Sequence, residues 1–430
     1  MHGHPFPTGR TLDLICLGRA GVDFYAQQDG VALEDVVTFR KSVGGSPANV
    51  ATQLARLGGR AAILSVVSDD GFGRYVRRFL ADNGVDVSAL KTDTTGALNS
   101  TSFTEMRPEQ CKVIIYRRDA ADLQLQPADI DRDFIASARA LLVTGTALSA
   151  SPSREAAWHA MDLARQAGTT VVLDLDHRPY GWRSAAESAV TLRLACTRAD
   201  IVIGNREEFD VLEQLEHLMP GAERDDHASA RRVLSGVTQV AVVKDGQRGC
   251  RVFHRDGSQL GMGIYPVQAR KPFGSGDAFA GALLWALFEG LDWTQATRCG
   301  AAAAALNVSR DACAEAMATK IELTQFMAQH AAPAATLHRA DRPDHFTADS
   351  TADSTADSTA DFTADFTAHS PAHTTRGTTA DTTAPSIAHT TAHTTTHTTA
   401  HNTAHLTTHP AEHGTAQIAA QPQPRDPARP

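Results

Sequence analysis

The chain has 430 residues, 42% of them hydrophobic, which is enough at first sight for a sizeable core in two or three domains. A formal net charge of −9 removes the general electrostatic reason to bind nucleic acid or an anionic membrane, so the expected partner is a small molecule. Cys16, Cys111, Cys196, Cys250, Cys299 and Cys313 are scattered without a CxxC pair, which excludes a disulfide-framed secreted domain and reads as reduced and cytoplasmic. The opening MHGHPFPTGR has no apolar leader segment, and no later run reaches the ~18 apolar residues of a membrane span.

From residue 12 to about residue 330, short apolar runs alternate with helical patterns. LDLICLG (Leu12 to Gly18) predicts the first strand. SPANVATQLARLG then predicts a helix with Ser46 as N-cap, Pro47 in the first turn, and Val50, Leu54 and Leu57 at helical spacing. TSFTEMR and KVIIYRR, joined by PEQC, predict two neighbouring strands with no helix between them, either a lid or a plain surface hairpin. ALLVTG, TVVLDLD, ADIVIGN and QVAVVKDG supply further strands, and SREAAWHAMDLARQAG supplies a helix that stops at Gly168. Strands apolar on both faces suit a central sheet covered by helices, so the fold class is α/β.

GSGDAFAG opens a long apolar helix with two glycines and an acid. It is not a Walker A loop, because no Gly-Lys-Ser/Thr follows, and Phe279 stands where a dinucleotide fingerprint needs its third glycine. A glycine turn at a helix start exposes unpaired N–H groups, and with the helix dipole these attract an anion. Asp277 beside that anion reads either as a general base for a hydroxyl or as an ordinary N-terminal acid. GGSPAN (Gly44 to Asn49) is a second glycine pair opening a helix, and NREE (Asn205 to Glu208) follows an apolar strand. The latter suits hydrated magnesium or, equally, a helix N-cap box.

From Thr347 a four-residue unit, TADS or TADF, repeats with Asp349, Asp353, Asp357, Asp361 and Asp365 in register, and His389 to His413 later keep the same spacing. So few large apolar residues cannot offset the entropy of ordering the segment, so a disordered tail over 331–430 is expected, with at most adventitious metal binding by the histidines.

Four of these stretches together resemble the ribokinase, or PfkB, family of sugar kinases. GGSPANVATQLARLG is similar to its first signature, KPFGSGDAFAGALL to its second, Asn205 and Glu208 to its NxxE motif, and VVKDGQRGC to its nucleotide-binding strand and turn. The match runs from about Leu12 to Phe326. The resemblance implies a three-layer αβα sandwich with a mainly parallel central sheet, over 12–330 after a short tail at 1–11. It also implies a small β-strand lid near 19–43 and 98–120.

In function it implies transfer of the γ-phosphate of ATP to a sugar alcohol. Asp277 is then the base, the backbone of Gly274, Ser275 and Gly276 the anion hole, and Asn205 and Glu208 the holders of Mg2+ through water. Lys244, Gly246 and Gly249 line the nucleotide side, and Asp23, Gly44, Gly45 and Asn49 meet the sugar hydroxyls. The resemblance further implies a monovalent cation such as K+ near the loop after Asp277 and a homodimer paired through the lids.

Lys271 and Pro272 stand where many members carry Asp-Thr, and Ser275 replaces the usual Ala. With DLDHRPYGW (Asp174 to Trp182) and YRRDAADLQL (Tyr116 to Leu125), KPFG is similar to a branch that phosphorylates the 6-hydroxyl of a keto-deoxy sugar acid. A carboxylate substrate needs a cation, and the available forks are Arg19, Arg117, Arg118 and Arg178. Lys271, at the mouth of the loop, is expected to neutralise ATP phosphates as a point charge. Two other enzymes stay open, a 2-keto-3-deoxygluconate kinase and a fructokinase. The alternative class is a non-catalytic sugar-binding regulator, which need not keep the Asp277 base.

Overall fold

The computed structural model describes residues 6–106, 112–213, 226–271 and 273–338; Cys111, Pro272 and the repeats from Thr347 lie outside them. The strands, in chain order, are β1 (Leu12–Leu17), β2 (Gly21–Ala26), β3 (Phe39–Gly44), β4 (Ala61–Val67), β5 (Leu90–Thr92), β6 (Thr101–Thr104) and β7 (Val113–Tyr116). They continue with β8 (Ala138–Thr144), β9 (Thr170–Asp174), β10 (Ile201–Asn205), β11 (Val240–Lys244), β12 (Cys250–His254), β13 (Gln259–Met262) and β14 (Ala335–His338). The helices are α1 (Ser46–Arg56), α2 (Gly71–Asp82), α3 (Arg132–Ala136), α4 (Ser153–Ala167), α5 (Ala185–Cys196), α6 (Arg206–Glu213) and α7 (Asp226–Leu234). They end with α8 (Ser275–Phe288), α9 (Trp293–Val308) and α10 (Lys320–Gln329).

The main sheet runs β14-β13-β12-β11-β10-β9-β8-β1-β4-β5. Every pairing from β11 to β5 is parallel, and β12, β13 and β14 close the other edge antiparallel. Alternating residues of β1 explain the layers: Leu14 and Cys16 enter one core with α1, α8 and α9, while Ile15 and Leu17 enter the other with α4 and α5. Helix α8 is buried along most of its length, packed against both α1 and α9, as an all-round apolar helix must be. Each of its buried leucines contributes about 1.5–3 kcal/mol relative to exposure. Gly281 lets α8 approach α1, since a Cβ there would lie 2.7 Å from Gln53 Cβ.

A second sheet, β3-β2-β6-β7, stands apart from the main one, and TSFTEMR and KVIIYRR form its antiparallel pair β6–β7. Two expectations need correction. Ser46 is not the N-cap of α1; Gly45 takes that position, because the Ser46 hydroxyl is spent on Asp277. Ordered chain also continues past residue 330, where β14 extends the main sheet by pairing with β13, since the edge of β13 is otherwise unpaired. No helix among the described residues is long and apolar enough to cross a membrane.

Candidate active site

A cleft of about 800 Å³ lies at the carboxyl ends of the parallel strands, where α/β sheets place their ligands. β1, β8, β9, β10 and β11 deliver Arg19, Thr146, Asp174, Asn205 and Lys244 to its walls, the N-termini of α1 and α8 close it, and the second sheet adds Asp23, Ser102 and Arg117.

At its centre Asp277 sits in the first turn of α8. Ser46 Oγ donates to Asp277 Oδ1 (2.8 Å), and Asn49 Nδ2 donates to Asp277 Oδ2 (2.8 Å). Both donors come from α1, so the packing of α1 on α8 aims the carboxylate. Burial pushes its pKa up and the Asp176 carboxylate adds to this, while the bonds from Asn49 and Ser46 and the charge of Lys244 oppose it. The result is a carboxylate more basic than usual and fixed in orientation.

Ahead of it, Gly274 is the N-cap of α8 at φ 79°, a left-handed position, and a Cβ there would lie 2.7 Å from Cys313 Sγ. Gly274, Ser275 and Gly276 all line the cleft, and the first N–H groups of an α-helix have no intrahelical partner. Lys244 Nζ lies so close to Gly276 that a Cβ there would be 3.2 Å from it. Burial pulls the Lys244 ammonium down, but Asp174, Glu208, Asp277 and Asp176 outweigh this and hold its pKa above the ordinary value.

On the wall formed by the second sheet, Asp23 accepts from Arg19 Nη2 (2.8 Å) and Ser102 Oγ (2.6 Å). Gly44 does not line the cleft; it lies against the Asp23 carboxylate, which a side chain there would overlap, while Gly45 and Asn49 do line it. Among the four arginines, Arg118 is exposed outside the cleft. Arg117 donates to Asp122 Oδ2 through Nε (2.9 Å) and Nη2 (2.6 Å), and through Nη1 to Thr146 O (2.9 Å). Arg178 pairs with Asp176 (2.7 Å) and, at 3.5 Å, with Glu208, and its side chain keeps 43% exposure against 12% for Arg19 and 8% for Arg117.

Asn205 and Glu208 reach the cleft but are joined to each other. The Glu208 N–H donates to Asn205 Oδ1 and the Asn205 N–H to Glu208 Oε2, both at 2.8 Å, which is the N-cap box of α6. Among the described residues no three His, Cys, Asp or Glu side chains are grouped to cage a metal. The carboxylates are nevertheless in surplus. Burial pushes Asp174 up to about 7 against the pull of Lys244 at 3.5 Å, Glu208, Asp176 and Asp277 push the same way, and Asp174 Oδ2 is buried without a hydrogen bond. Hard oxygen donors in excess of their cations fit a hydrated magnesium ion that arrives with a phosphate.

Two expected nucleotide residues stand elsewhere. Gly249 turns the chain into β12 at φ 84°, tight against Met262 O, and is not on the cleft wall. Lys271 is 2% exposed and points away from the cleft, its Nζ donating to Phe273 O and Asn307 Oδ1, both at 2.7 Å, so its head cannot meet phosphates. Asp174 and Asp176 were not singled out in the sequence, although two acids two apart at the end of an apolar strand share one face, and that was the available signal. Ser46 was legible only as a helix cap, and Ser102 and Thr146 carried no signal beyond their hydroxyls.

Comparison with known proteins agrees with this geometry. Residues 11–320 match the pfkB family carbohydrate kinase profile. A 5-dehydro-2-deoxygluconokinase of Photobacterium profundum is 48% identical over 318 residues, 74% of this chain and 95% of that protein. Its namesake in Geobacillus kaustophilus is 41% identical over 327 residues, 76% of this chain and 96% of that one. Among solved structures, a PfkB protein from Polaromonas sp. JS666 has 30% identity and a TM-score of 0.64, covering 73% of this chain and 99% of its own. A Xylella fastidiosa fructokinase with bound ATP has 25% identity and a TM-score of 0.66, with 74% and 98% covered. A Vibrio cholerae fructokinase double mutant holding fructose, ADP and a potassium ion has 26% identity and a TM-score of 0.65, with 75% and 100% covered. With a carboxylate held at the head of α8 over a ribokinase-like sheet and a family profile spanning 11–320, the chain belongs to the pfkB family of carbohydrate kinases.

Proposed function

We propose that this chain transfers the γ-phosphoryl group of ATP to the 6-hydroxyl of 5-dehydro-2-deoxy-D-gluconate, a step of myo-inositol degradation, with Asp277 as general base. The observation that carries the reading is the Asp277 carboxylate, held by Ser46 and Asn49 beside the phosphate-facing turn Gly274–Gly276. The names of the Photobacterium and Geobacillus relatives support the substrate.

In this reading Asp23 and Asn49 orient the sugar and Arg178 meets its carboxylate. Asp277 takes the hydroxyl proton as that oxygen bonds to the γ-phosphorus and the bond to the ADP oxygen breaks. The N–H groups of Gly274, Ser275 and Gly276 receive the charge on the transferred group, Lys244 adds a positive point charge beside Gly276, and Gly246 borders the nucleotide. Asn205 and Glu208 would hold magnesium through water, and the ion would neutralise phosphate charge. A monovalent cation such as K+ near the loop would have to find oxygens other than Phe273 O and Asn307 Oδ1, which already accept from Lys271. A cytoplasmic homodimer is part of the reading. Its support is the buried state of the described cysteines and the exposure of Ile114 (44%) and Tyr116 (63%) on β7, an edge strand of the lid.

A coupled ADP-release assay over a panel of sugars and keto-deoxy sugar acids, run beside Asp277→Asn, tests the reading. Turnover of 5-dehydro-2-deoxy-D-gluconate above all others is expected. A preference for 2-keto-3-deoxygluconate or fructose would remove the substrate and leave the kinase, and no turnover on any of them would remove both.

A further inference from the structure

A buried ammonium without a carboxylate partner is costly, and a chain keeps one where it does a job. Lys271 is such a group: among the described residues its Nζ has two neutral oxygens and no ion pair, and the nearby Asp311 is taken by Arg270 at 2.9 Å. Burial pulls its pKa down.

The two oxygens come from the parts that must be joined. Phe273 O belongs to the turn that ends at the left-handed Gly274, directly before the cleft-lining N–H groups. Asn307 Oδ1 belongs to the last turn of α9, where the helix dipole favours a cation. Asn307 is itself held, because its Nδ2 donates to Cys313 O at 3.1 Å, which commits Oδ1 to face Lys271. The Arg270 N–H donates to Val308 O at 2.9 Å, tying the start of the turn to the same helix end. Neutral carbonyl-type oxygens converging in a buried site are also the ligands a potassium ion takes.

We propose that the Lys271 ammonium is a built-in monovalent cation, which clamps the Phe273 carbonyl to Asn307 and sets a fixed positive charge behind the Gly274–Gly276 turn, so that phosphoryl transfer needs no free potassium or ammonium ion. It rests on the kinase reading and adds its ion requirement. Lys271 is thus a positioning residue, acting on the transferred phosphoryl group through the turn. The tether makes the cation permanent, whereas a free ion would bind according to its concentration.

The test uses the full chain with ATP, magnesium and 5-dehydro-2-deoxy-D-gluconate, titrated with potassium or ammonium chloride against tetramethylammonium chloride at equal ionic strength. The parent should turn over equally in all three. Lys271→Ala should lose up to about 100–1,000-fold in kcat, the range for removing a charge-stabilising group, with little change in the KM of the sugar acid. Potassium or ammonium, but not tetramethylammonium, should restore at least about tenfold and raise the thermal midpoint of Lys271→Ala alone, as linkage requires of an ion that binds only the fold. A parent that depends on potassium overturns the proposal while leaving the kinase intact. A folded Lys271→Ala with parental kcat, or one that no small cation rescues, overturns it too. If that variant does not fold, the parent titration with Lys271→Gln decides: the proposal stands if the parent ignores potassium while Lys271→Gln is slowed, and falls otherwise. No turnover by the parent in any salt removes the kinase reading instead.

Discussion

Asn49 and Asp277 stand 228 positions apart in the chain and are joined by a 2.8 Å hydrogen bond, donated by the Asn49 amide to a carboxylate at the head of α8. With Ser46 on the other oxygen, the bond makes two glycine-led helix starts into one site.

Asp277→Asn keeps the shape and removes the carboxylate proposed as the base. We expect kcat to fall by about 10²–10⁴-fold, the usual worth of a positioned general base, in the ADP-release assay. The fold should not suffer. A carboxyl whose folded pKa is raised destabilises the native state once pH exceeds that pKa, so at pH well above it the amide variant should melt at or above the parent temperature.

The same pair sets an acid limb. As pH falls through the raised pKa of Asp277 the base is protonated, so kcat/KM should drop at a pH above the ordinary 3.8. The Asn49 bond holds that pKa down, so Asn49→Ala should move the limb to higher pH. A pH profile of kcat/KM for both proteins checks this, and a limb that moves to lower pH would contradict the assigned contact.

Asp174 is pushed up to about 7 by burial against an ordinary 3.8. Its sign is that of a raised acid: its contribution to stability is in place at low pH and is lost as pH rises through about 7. The thermal midpoint of the parent should therefore decline between about pH 4 and pH 7 by more than that of Asp174→Asn. Melting curves at matched ionic strength read the difference.

Among the four candidate arginines Arg178 has the most exposed side chain on the cleft wall, 43%, whereas Arg19 is 12% exposed, Arg117 is locked on the buried Asp122 and Arg118 lies off the cleft. Arg178→Met should raise the KM of the sugar acid about 10–100-fold, the worth of a charge-assisted hydrogen bond. Arg118→Met should change it less than about twofold, as surface substitutions do. Arg117→Met should instead lower the melting temperature, because it strands a buried carboxylate.

Among the described residues, those on the wall of the cleft lie between Arg19 and Cys313, and β14 ends at His338. A chain stopped after His338 should keep kcat within about twofold of the full chain, since it retains every described residue of the cleft wall. A larger loss would assign the repeats a part in catalysis.

Local chemistry was legible because it is written in neighbouring residues. The glycine turn before Asp277 and the apolar runs of β1, β8, β9, β10 and β11 follow from backbone freedom and strand periodicity, and both are where the sequence placed them. The NREE stretch was legible twice over: the cap box and the cleft position of Asn205 and Glu208 are both present, because a helix start at a strand end serves both. The motif order also carried the family, since four stretches at that spacing are hard to meet by chance.

What the tertiary structure decided was direction. Ser46 had the letters of an N-cap, and only the approach of α8 turns its hydroxyl to Asp277. Lys271 stood three positions before the Gly274–Gly276 turn and had every local reason to meet phosphate, yet its four-carbon stem carries the charge inward to Asn307, contributed by a helix 36 positions further on. Asp174 was a strand residue like its neighbours until folding buried it, and with three other carboxylates nearby this raised its affinity for a proton against the pull of Lys244. Sequence determines which groups a chain owns and which backbone they sit on; where a flexible side chain points, and how strongly it holds a proton, depends on partners that only folding brings within a few ångströms.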